Sequence, residues 1–152
     1  MALPSRKPVK DDYLKYYRVV RYYNQAKYNL THAEIDMLLF LNSEMYFDSA
    51  KFDEFNELMS WDKKRFKKLL KEGWIDVFRK KQGNTRVVYC LSFKAKTMIR
   101  DIYKKLNGEE IPESPTSNPL FKRNVSYMDK VYRNFIKAMN KETRRLRRQP
   151  PE

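Results

Sequence analysis

The hydrophobic pattern changes its period at Gly73, and this change restricts the possible folds more than any other feature of the sequence. Before Gly73, apolar side chains recur at helical spacing. After it, residues 74–78 and 86–91 form two short runs typical of β-strands, and the segment between them contains the turn pair Gly83-Asn84. Helical spacing returns at Phe93. The sequence therefore predicts a β-hairpin inserted among helices.

Capping signals and apolar spacing predict six helices around this hairpin. Thr31 and Glu34 have the spacing of a capping box, and Ser60 and Ser92 are suited to cap later helices. Asp48 or Ser49 caps a short third helix. The predicted helices cover about residues 11–26, 32–45, 49–59, 61–72 and 93–106, and a last helix runs from Leu120 or Ser126 to Arg148.

The 152 residues are enough for one domain with its own core, so we expect a single folded unit with short extensions. Residues 1–10 are expected to form a flexible basic arm, and residues 11–108 the folded domain. Residues 109–119 carry three prolines and predict an ordered turn or linker. Residues 120–148 then form the C-terminal helix, and residues 149–152 a tail.

The composition argues against an enzyme, a metal site and a cofactor. The chain has one cysteine, one histidine and three glycines, which are too few for the usual zinc sets or a phosphate-binding glycine loop. His32 lies within the capping box, where a structural role is expected. Cys90 is expected to be a buried strand thiol. Since the chain contains no signal peptide and no apolar run of about 20 residues, we expect a soluble cytoplasmic protein, located in the host cytoplasm or nucleoid if it is phage-encoded.

Positive charge is concentrated in the middle of the chain. Residues 1–59 carry 8 basic and 9 acidic residues, whereas residues 60–108 carry 15 basic and 4 acidic ones, and residues 109–152 carry 10 and 6. The net charge of the whole chain is +14. Such a cluster indicates either a solvated face or an anionic partner, and composition alone leaves these two readings about equal.

The order of the predicted elements separates the two readings, because helix, helix, short helix, helix, basic hairpin, helix is the plan of a winged helix-turn-helix. The predicted fold class is thus mainly α with a small β-hairpin (α+β). Phe66, Leu69 and Leu70 of the fourth helix face the core, which leaves its basic residues toward solvent. The candidate DNA-binding residues are Ser60, Trp61, Lys63, Lys64, Arg65, Lys67, Lys68 and Lys71 in the helix, with Arg79, Lys80, Lys81, Asn84 and Arg86 in the wing.

These candidates differ in their expected roles. Lys63, Lys64 and Lys67 lie nearest the N-terminal end, from which recognition helices usually read bases. Lysine is a flexible point donor, so much of the helix is suited to hold phosphate rather than to read sequence. For Trp61, a plug in the core or turn is favoured over a base contact.

Several short motifs resemble the MarR family of winged helix transcriptional regulators. They are Leu30-Thr31 at the start of helix two, Leu69-Leu70-Lys71-Glu72-Gly73-Trp74-Ile75 at the exit of helix four, Asn84-Thr85-Arg86 in the wing, and Leu91-Ser92. Asn84 replaces the acidic residue that usually braces the wing arginine, and Ala95 stands where a glycine is common. The resemblance implies a regulator that binds double-stranded DNA as a homodimer on a pseudo-palindromic site. It does not extend to a small-molecule effector.

The first and last helices carry more apolar surface than one core contact requires, which independently permits a homodimer. The predicted dimerisation residues are Tyr13, Tyr16, Tyr17, Val20, Met128, Tyr132, Phe135 and Met139. The apolar seam of the last helix predicts antiparallel packing against helix one, within a subunit or across the dimer. Three alternatives remain open for the same fold: a replication initiator, a non-specific architectural DNA binder of a phage or plasmid, and a protein-docking module.

Overall fold

The computed structural model describes residues 14–59 and 63–148. The described elements confirm a mainly helical chain with a two-stranded antiparallel sheet. In order they are α1 (Leu14–Tyr28), α2 (His32–Leu41), α3 (Ser49–Met59), α4 (Lys63–Lys71), β1 (Ile75–Arg79), β2 (Val88–Leu91), α5 (Phe93–Leu106), a short 3-10 helix (Pro119–Phe121) and α6 (Tyr127–Arg147). None of the helices in these two ranges is long and apolar enough to cross a membrane.

Four of the described helices, α2, α3, α5 and α6, begin at polar caps that the sequence predicts. The side chains of Thr31, Asp48, Ser92 and Ser126 each accept a hydrogen bond from the backbone N–H three residues later. Glu34 completes the capping box, since its Oε1 accepts from the Thr31 N–H at 3.0 Å. Helix α2 ends at Leu41 rather than near Met45. The reason is local, because the Ser43 hydroxyl donates to the Phe40 carbonyl and competes with further helix.

The two strands form the predicted hairpin. Ile75 pairs with Leu91 and Val77 with Tyr89, and the register shifts between Val77 and Arg79. Tyr89 also forms an isolated bridge with Phe47, in which the two residues exchange backbone hydrogen bonds of 3.0 and 2.7 Å. The bridge ties the segment between α2 and α3 to the edge of the sheet. Cys90 is half-buried, so the prediction of a buried thiol was too strong.

A single apolar core joins the helices to the inner face of the hairpin. Helix α1 contacts α2, α5 and α6, and α4 contacts β1. The fully buried side chains include Val20, Tyr23, Ile35, Leu38, Leu69, Trp74, Ile75, Met98, Ile102 and Ile136. The helix predicted to read DNA thus has its inner side fixed to the same core as the hairpin.

Two buried asparagines order the segment 109–119, and one of them, Asn140, attaches it to α6. Asn140 of α6 accepts a hydrogen bond from the Ile111 N–H at 3.0 Å and donates to the Ile111 carbonyl at 2.7 Å. Asn118 donates to the Pro112 carbonyl at 2.8 Å and accepts from the Leu120 N–H at 3.0 Å. These hydrogen bonds hold the proline-rich segment against α6 and the 3-10 helix.

Helix α6 packs against α1 in the antiparallel direction within the subunit. The rings of Tyr22 and Tyr132 are stacked with their centroids 3.8 Å apart. Tyr22 donates to Asp129 Oδ1 at 2.6 Å, and Tyr16 donates to Glu142 Oε2 at 3.0 Å. Earlier residues of α1 thus meet later residues of α6, so one of the two predicted arrangements, packing within the subunit, is present.

The predicted dimerisation residues divide between core and surface. Val20 and Met139 are buried within the subunit, so neither is available to a partner, and this part of the prediction was wrong. Tyr132 is stacked on Tyr22. Met128 and Phe135 are 51% and 59% exposed. Tyr16 and Tyr17 are half-buried and donate hydrogen bonds to Glu142 and Asp36 of the same chain, and Tyr13 lies outside the described residues.

Candidate functional site

Helix α4 is held to the core by its apolar side. Leu69 is fully buried, and the Phe66 ring lies 4.7 Å from the Phe52 ring and 5.1 Å from the Tyr89 ring, centroid to centroid. The helix ends at Lys71, and Gly73, two residues later, has a φ of +82°, a conformation that side-chain-bearing residues rarely adopt. The Trp74 N–H then bonds to the Leu69 carbonyl at 2.9 Å. Contacts with residues at both strands of the hairpin therefore fix which side of α4 faces solvent.

The opposite side of α4 presents a cationic stripe, defined here as Lys63, Lys64, Lys67 and Lys71. All four side chains are exposed. At about 100° per residue, they fall within an arc of about 100° on the helix. Arg65 is half-buried and lies outside this arc. Between residues 63 and 71 the helix has six basic residues and no acidic one, so nothing within the helix neutralises the stripe.

Lys68 differs from the stripe because it is bound to a buried carboxylate. Its Nζ donates to Glu34 Oε1 at 3.2 Å and lies 3.1 Å from Oε2, while the Glu34 side chain is only 1% exposed. Burial alone would raise the pKa of Glu34, but hydrogen bonds from the Thr31 N–H and from Lys68 outweigh it and hold this pKa below its ordinary value. Lys68 therefore joins α4 to the start of α2, a role that sequence reasoning missed.

The predicted contacts Ser60 and Trp61 lie outside the described residues. The site therefore consists here of α4 from Lys63 onward together with the hairpin.

The hairpin carries a second basic surface, next to α4 in sequence and joined to it through β1. Its predicted contact residues are all exposed: Arg79, Lys80, Lys81, Asn84 and Arg86. The tip is closed by a bridge between Gln82 and Thr85, and Gly83 has a φ of +58°. Residues 79–86 include four basic residues and no acidic one. The tip is therefore a compact turn with basic residues on both sides of it in the chain.

Arg86 lies next to acidic residues of α3. It shares a surface depression of about 640 Å³ with Asp53, Glu54 and Glu57. Asn84 at the hairpin tip carries no charge, whereas these three carboxylates line the same surface depression as Arg86. Sequence reasoning missed this neighbourhood, although the acidic run on α3 was a visible signal.

An exposed aromatic pair also escaped sequence reasoning. Tyr46, from the segment between α2 and α3, and Phe78 of β1 have ring centroids 4.3 Å apart and are 47% and 58% exposed. Phe78 directly precedes Arg79, so the pair lies at the base of the basic hairpin. The strand pattern in the sequence did not predict an exposed aromatic side chain at this position.

Neither a metal centre nor a known relative adds to this description. Within residues 14–59 and 63–148, no group of three or more His, Cys, Asp or Glu side chains is placed to hold a metal ion. Comparison of the chain with protein families, with curated proteins and with solved structures found no match.

Proposed function

We propose that this chain is a MarR-like winged helix transcriptional regulator that binds duplex DNA as a homodimer in the cytoplasm. One observation carries the proposal: α4 and the hairpin tip expose basic residues without a single acidic residue in residues 63–71 or 79–86. DNA carries one negative charge per about 1.7 Å of duplex axis, and neutralising these charges supplies most of the affinity of such binders. A helix and an adjoining hairpin of this charge suit that polyanion.

The arrangement of elements supports the winged helix part of the proposal. Helices α2, α3 and α4 precede an antiparallel hairpin in the expected order. The bridge between Phe47 and Tyr89 adds a short third strand position, between α2 and α3, to the edge of this hairpin. In this fold α4 enters the major groove and the hairpin lies along neighbouring backbone.

The cationic stripe and the hairpin then have different roles. Lys63, Lys64 and Lys67 lie in the first half of α4 and contact the groove and its rim. Lys80 and Lys81 hold phosphates beside it, and Arg86 stays near the acidic residues of α3. Arginine presents a rigid fork of donors to guanine, whereas lysine is a flexible point charge that suits phosphate, so sequence is read by few side chains.

The homodimer is supported by apolar surface that the subunit leaves uncovered. Met128 and Phe135 are seven residues apart on α6, and more than half of each side chain is exposed. Residues seven apart on a helix lie on one face. A second copy that covers this face removes the exposed apolar side chains from water and pairs two α4 helices for a two-fold symmetric site.

The test is the salt dependence of binding to a labelled random duplex, measured by fluorescence anisotropy. We expect Lys63→Ala, Lys64→Ala and Lys67→Ala together to weaken binding strongly. They should also reduce the slope of log K against log salt by about 3 per subunit, because each lost phosphate contact contributes roughly 0.9. The matched control replaces exposed Lys122, Lys130 and Lys141, which changes the net charge equally.

Two results would overturn the proposal. The first is absence of binding by the unmodified chain even at low salt. The second is an equal loss in the control variant, which would mean that only net charge matters.

A second candidate function is non-specific DNA binding by an architectural protein or a replication initiator. The favouring observation is that α4 contains five lysines and one arginine. Selection of bound sequences from a random pool separates the two functions, since a regulator enriches one motif and a non-specific binder enriches none.

A further inference from the structure

An apolar patch lies at the base of the hairpin, defined here as Met45, Tyr46, Val77 and Phe78. All four side chains are exposed. An aromatic side chain covers 150–250 Å² when buried, so leaving two adjacent rings in water forgoes a large gain. Within it the Tyr46 and Phe78 rings are in contact, with centroids 4.3 Å apart, and exposed apolar surface of this kind commonly marks a binding site.

The backbone turns both rings away from the core. Phe47 is buried and bridges to Tyr89, so the preceding Tyr46 projects from the opposite face of that extended segment. In β1 the register shifts between Val77 and Arg79, which leaves Phe78 without a partner on β2. Bulges of this kind redirect side chains, and here the bulge brings the Phe78 ring to Tyr46.

The charge beside the patch selects a polyanionic ligand. Arg79, Lys80 and Lys81 follow Phe78 directly and are all exposed. Asp76 is the one acidic residue of β1, and in the strand it precedes the patch whereas these cations follow it. A ligand that joins flat apolar groups to regularly spaced negative charges is a nucleic acid with unstacked bases.

We propose that Tyr46 and Phe78 form a stacking surface for unpaired DNA bases, while Arg79, Lys80 and Lys81 hold the adjoining phosphates. This inference rests on the proposed function, since α4 and the hairpin hold the flanking duplex. The surface accepts any base, because every base presents a π face. It therefore gives the chain a preference for DNA that is locally opened, independent of sequence.

The test compares three labelled probes by fluorescence anisotropy with the full chain: a duplex, the same duplex with four central mismatches, and a twelve-residue thymine strand. Alanine substitution at stacking sites typically changes affinity roughly 5- to 150-fold per base. We expect the mismatched duplex to bind at least about fivefold more tightly than the perfect one. Phe78→Ala and Tyr46→Ala should remove this preference and leave affinity for the perfect duplex within about twofold.

Two further variants distinguish stacking from other causes. Phe78→Leu keeps an apolar side chain without a ring and should also lose the preference. Phe93→Ala removes an exposed ring at the start of α5, outside the apolar patch, and should keep the preference. Equal affinity of the unmodified chain for the two duplexes overturns the inference, as does a preference that survives in Phe78→Leu.

The thymine strand separates failure of this inference from failure of the proposed function. Loss of all duplex binding, with strand binding that depends on Phe78, refutes the duplex regulator and supports the stacking surface. Duplex binding with neither preference nor strand binding refutes the stacking surface alone.

Discussion

Asn140 offers a sharp test of whether residues 109–119 are part of the core. Its side chain satisfies both the N–H and the carbonyl of Ile111, and both residues are buried. Asn140→Ala leaves these two backbone groups without a partner away from water. Each such group costs about 1–3 kcal/mol, so the expected loss in the free energy of unfolding is about 2–6 kcal/mol. Domains of this kind have only about 5–15 kcal/mol in total.

The measurement is urea-induced unfolding followed by circular dichroism at one protein concentration, because association would otherwise shift the apparent stability. At about 2–4 °C per kcal/mol, the same loss lowers the melting temperature by roughly 4–24 °C. The control is Asn134→Ala, which makes the same substitution at an exposed position of α6 and should change stability by less than about 0.5 kcal/mol.

Asn140→Asp adds a second comparison, because it keeps the acceptor for the Ile111 N–H and loses the donor to the carbonyl. If Asn140→Ala proved as stable as Asn134→Ala, the reasoning would be refuted, and segment 109–119 would be a loosely held connection.

Three further predictions concern pH, backbone and association. Folding lowers the pKa of Glu34 from its ordinary value of 4.5, so the ionised carboxylate stabilises the fold above that pH. This stabilisation is lost as the pH falls through the lower pKa of the folded state. Glu34→Gln should therefore reduce the decrease in unfolding free energy that acid causes. Gly73→Ala should cost about 1–2 kcal/mol in urea unfolding because of its positive φ, and no loss would contradict that conformation. Met128→Ser with Phe135→Ser should yield a monomer in sedimentation equilibrium, whereas an unmodified chain that is monomeric at every concentration would exclude the dimer.

The parts of the fold that follow from neighbours in sequence were predictable. Thr31 and Glu34 are three residues apart, so their capping box is visible in the sequence and is present in the structure. Gly73 likewise predicts where α4 ends, because the residue type and the change from helical to strand spacing are both local features of the sequence. The hairpin follows from two alternating runs around a turn pair.

The face that α6 turns toward α1 was not predictable from its spacing. Phe135 and Ile136 are adjacent and differ by about 100° around the helix, yet the first is exposed and the second buried. Apolar residues occur on both faces, so periodicity alone cannot say which one meets the subunit. Which face of α6 packs inward depends on its contact with Tyr22 of α1, more than a hundred residues earlier in the chain.

The candidate site likewise combines features that the local sequence predicts with features that depend on distant residues. The cationic stripe follows from Phe66, Leu69 and Leu70, which fix the inner side of α4. The pairing of Lys68 with Glu34 joins residues 34 positions apart and depends on how α2 and α4 pack. The exposure of Phe78 depends on a strand bulge, which leaves no mark on the alternating pattern.

The contact between α1 and α6 has a consequence for the order of folding during synthesis. Tyr16 and Glu142 are separated by 126 positions, and Tyr22 and Asp129 by 107. At about 5–20 residues per second, the ribosome releases α6 roughly 5–20 s after α1. During that interval the tyrosine-lined side of α1 has no helix to cover it. The hairpin and α4 are complete earlier, so the basic surface forms on the nascent chain before the helical layer behind it is closed.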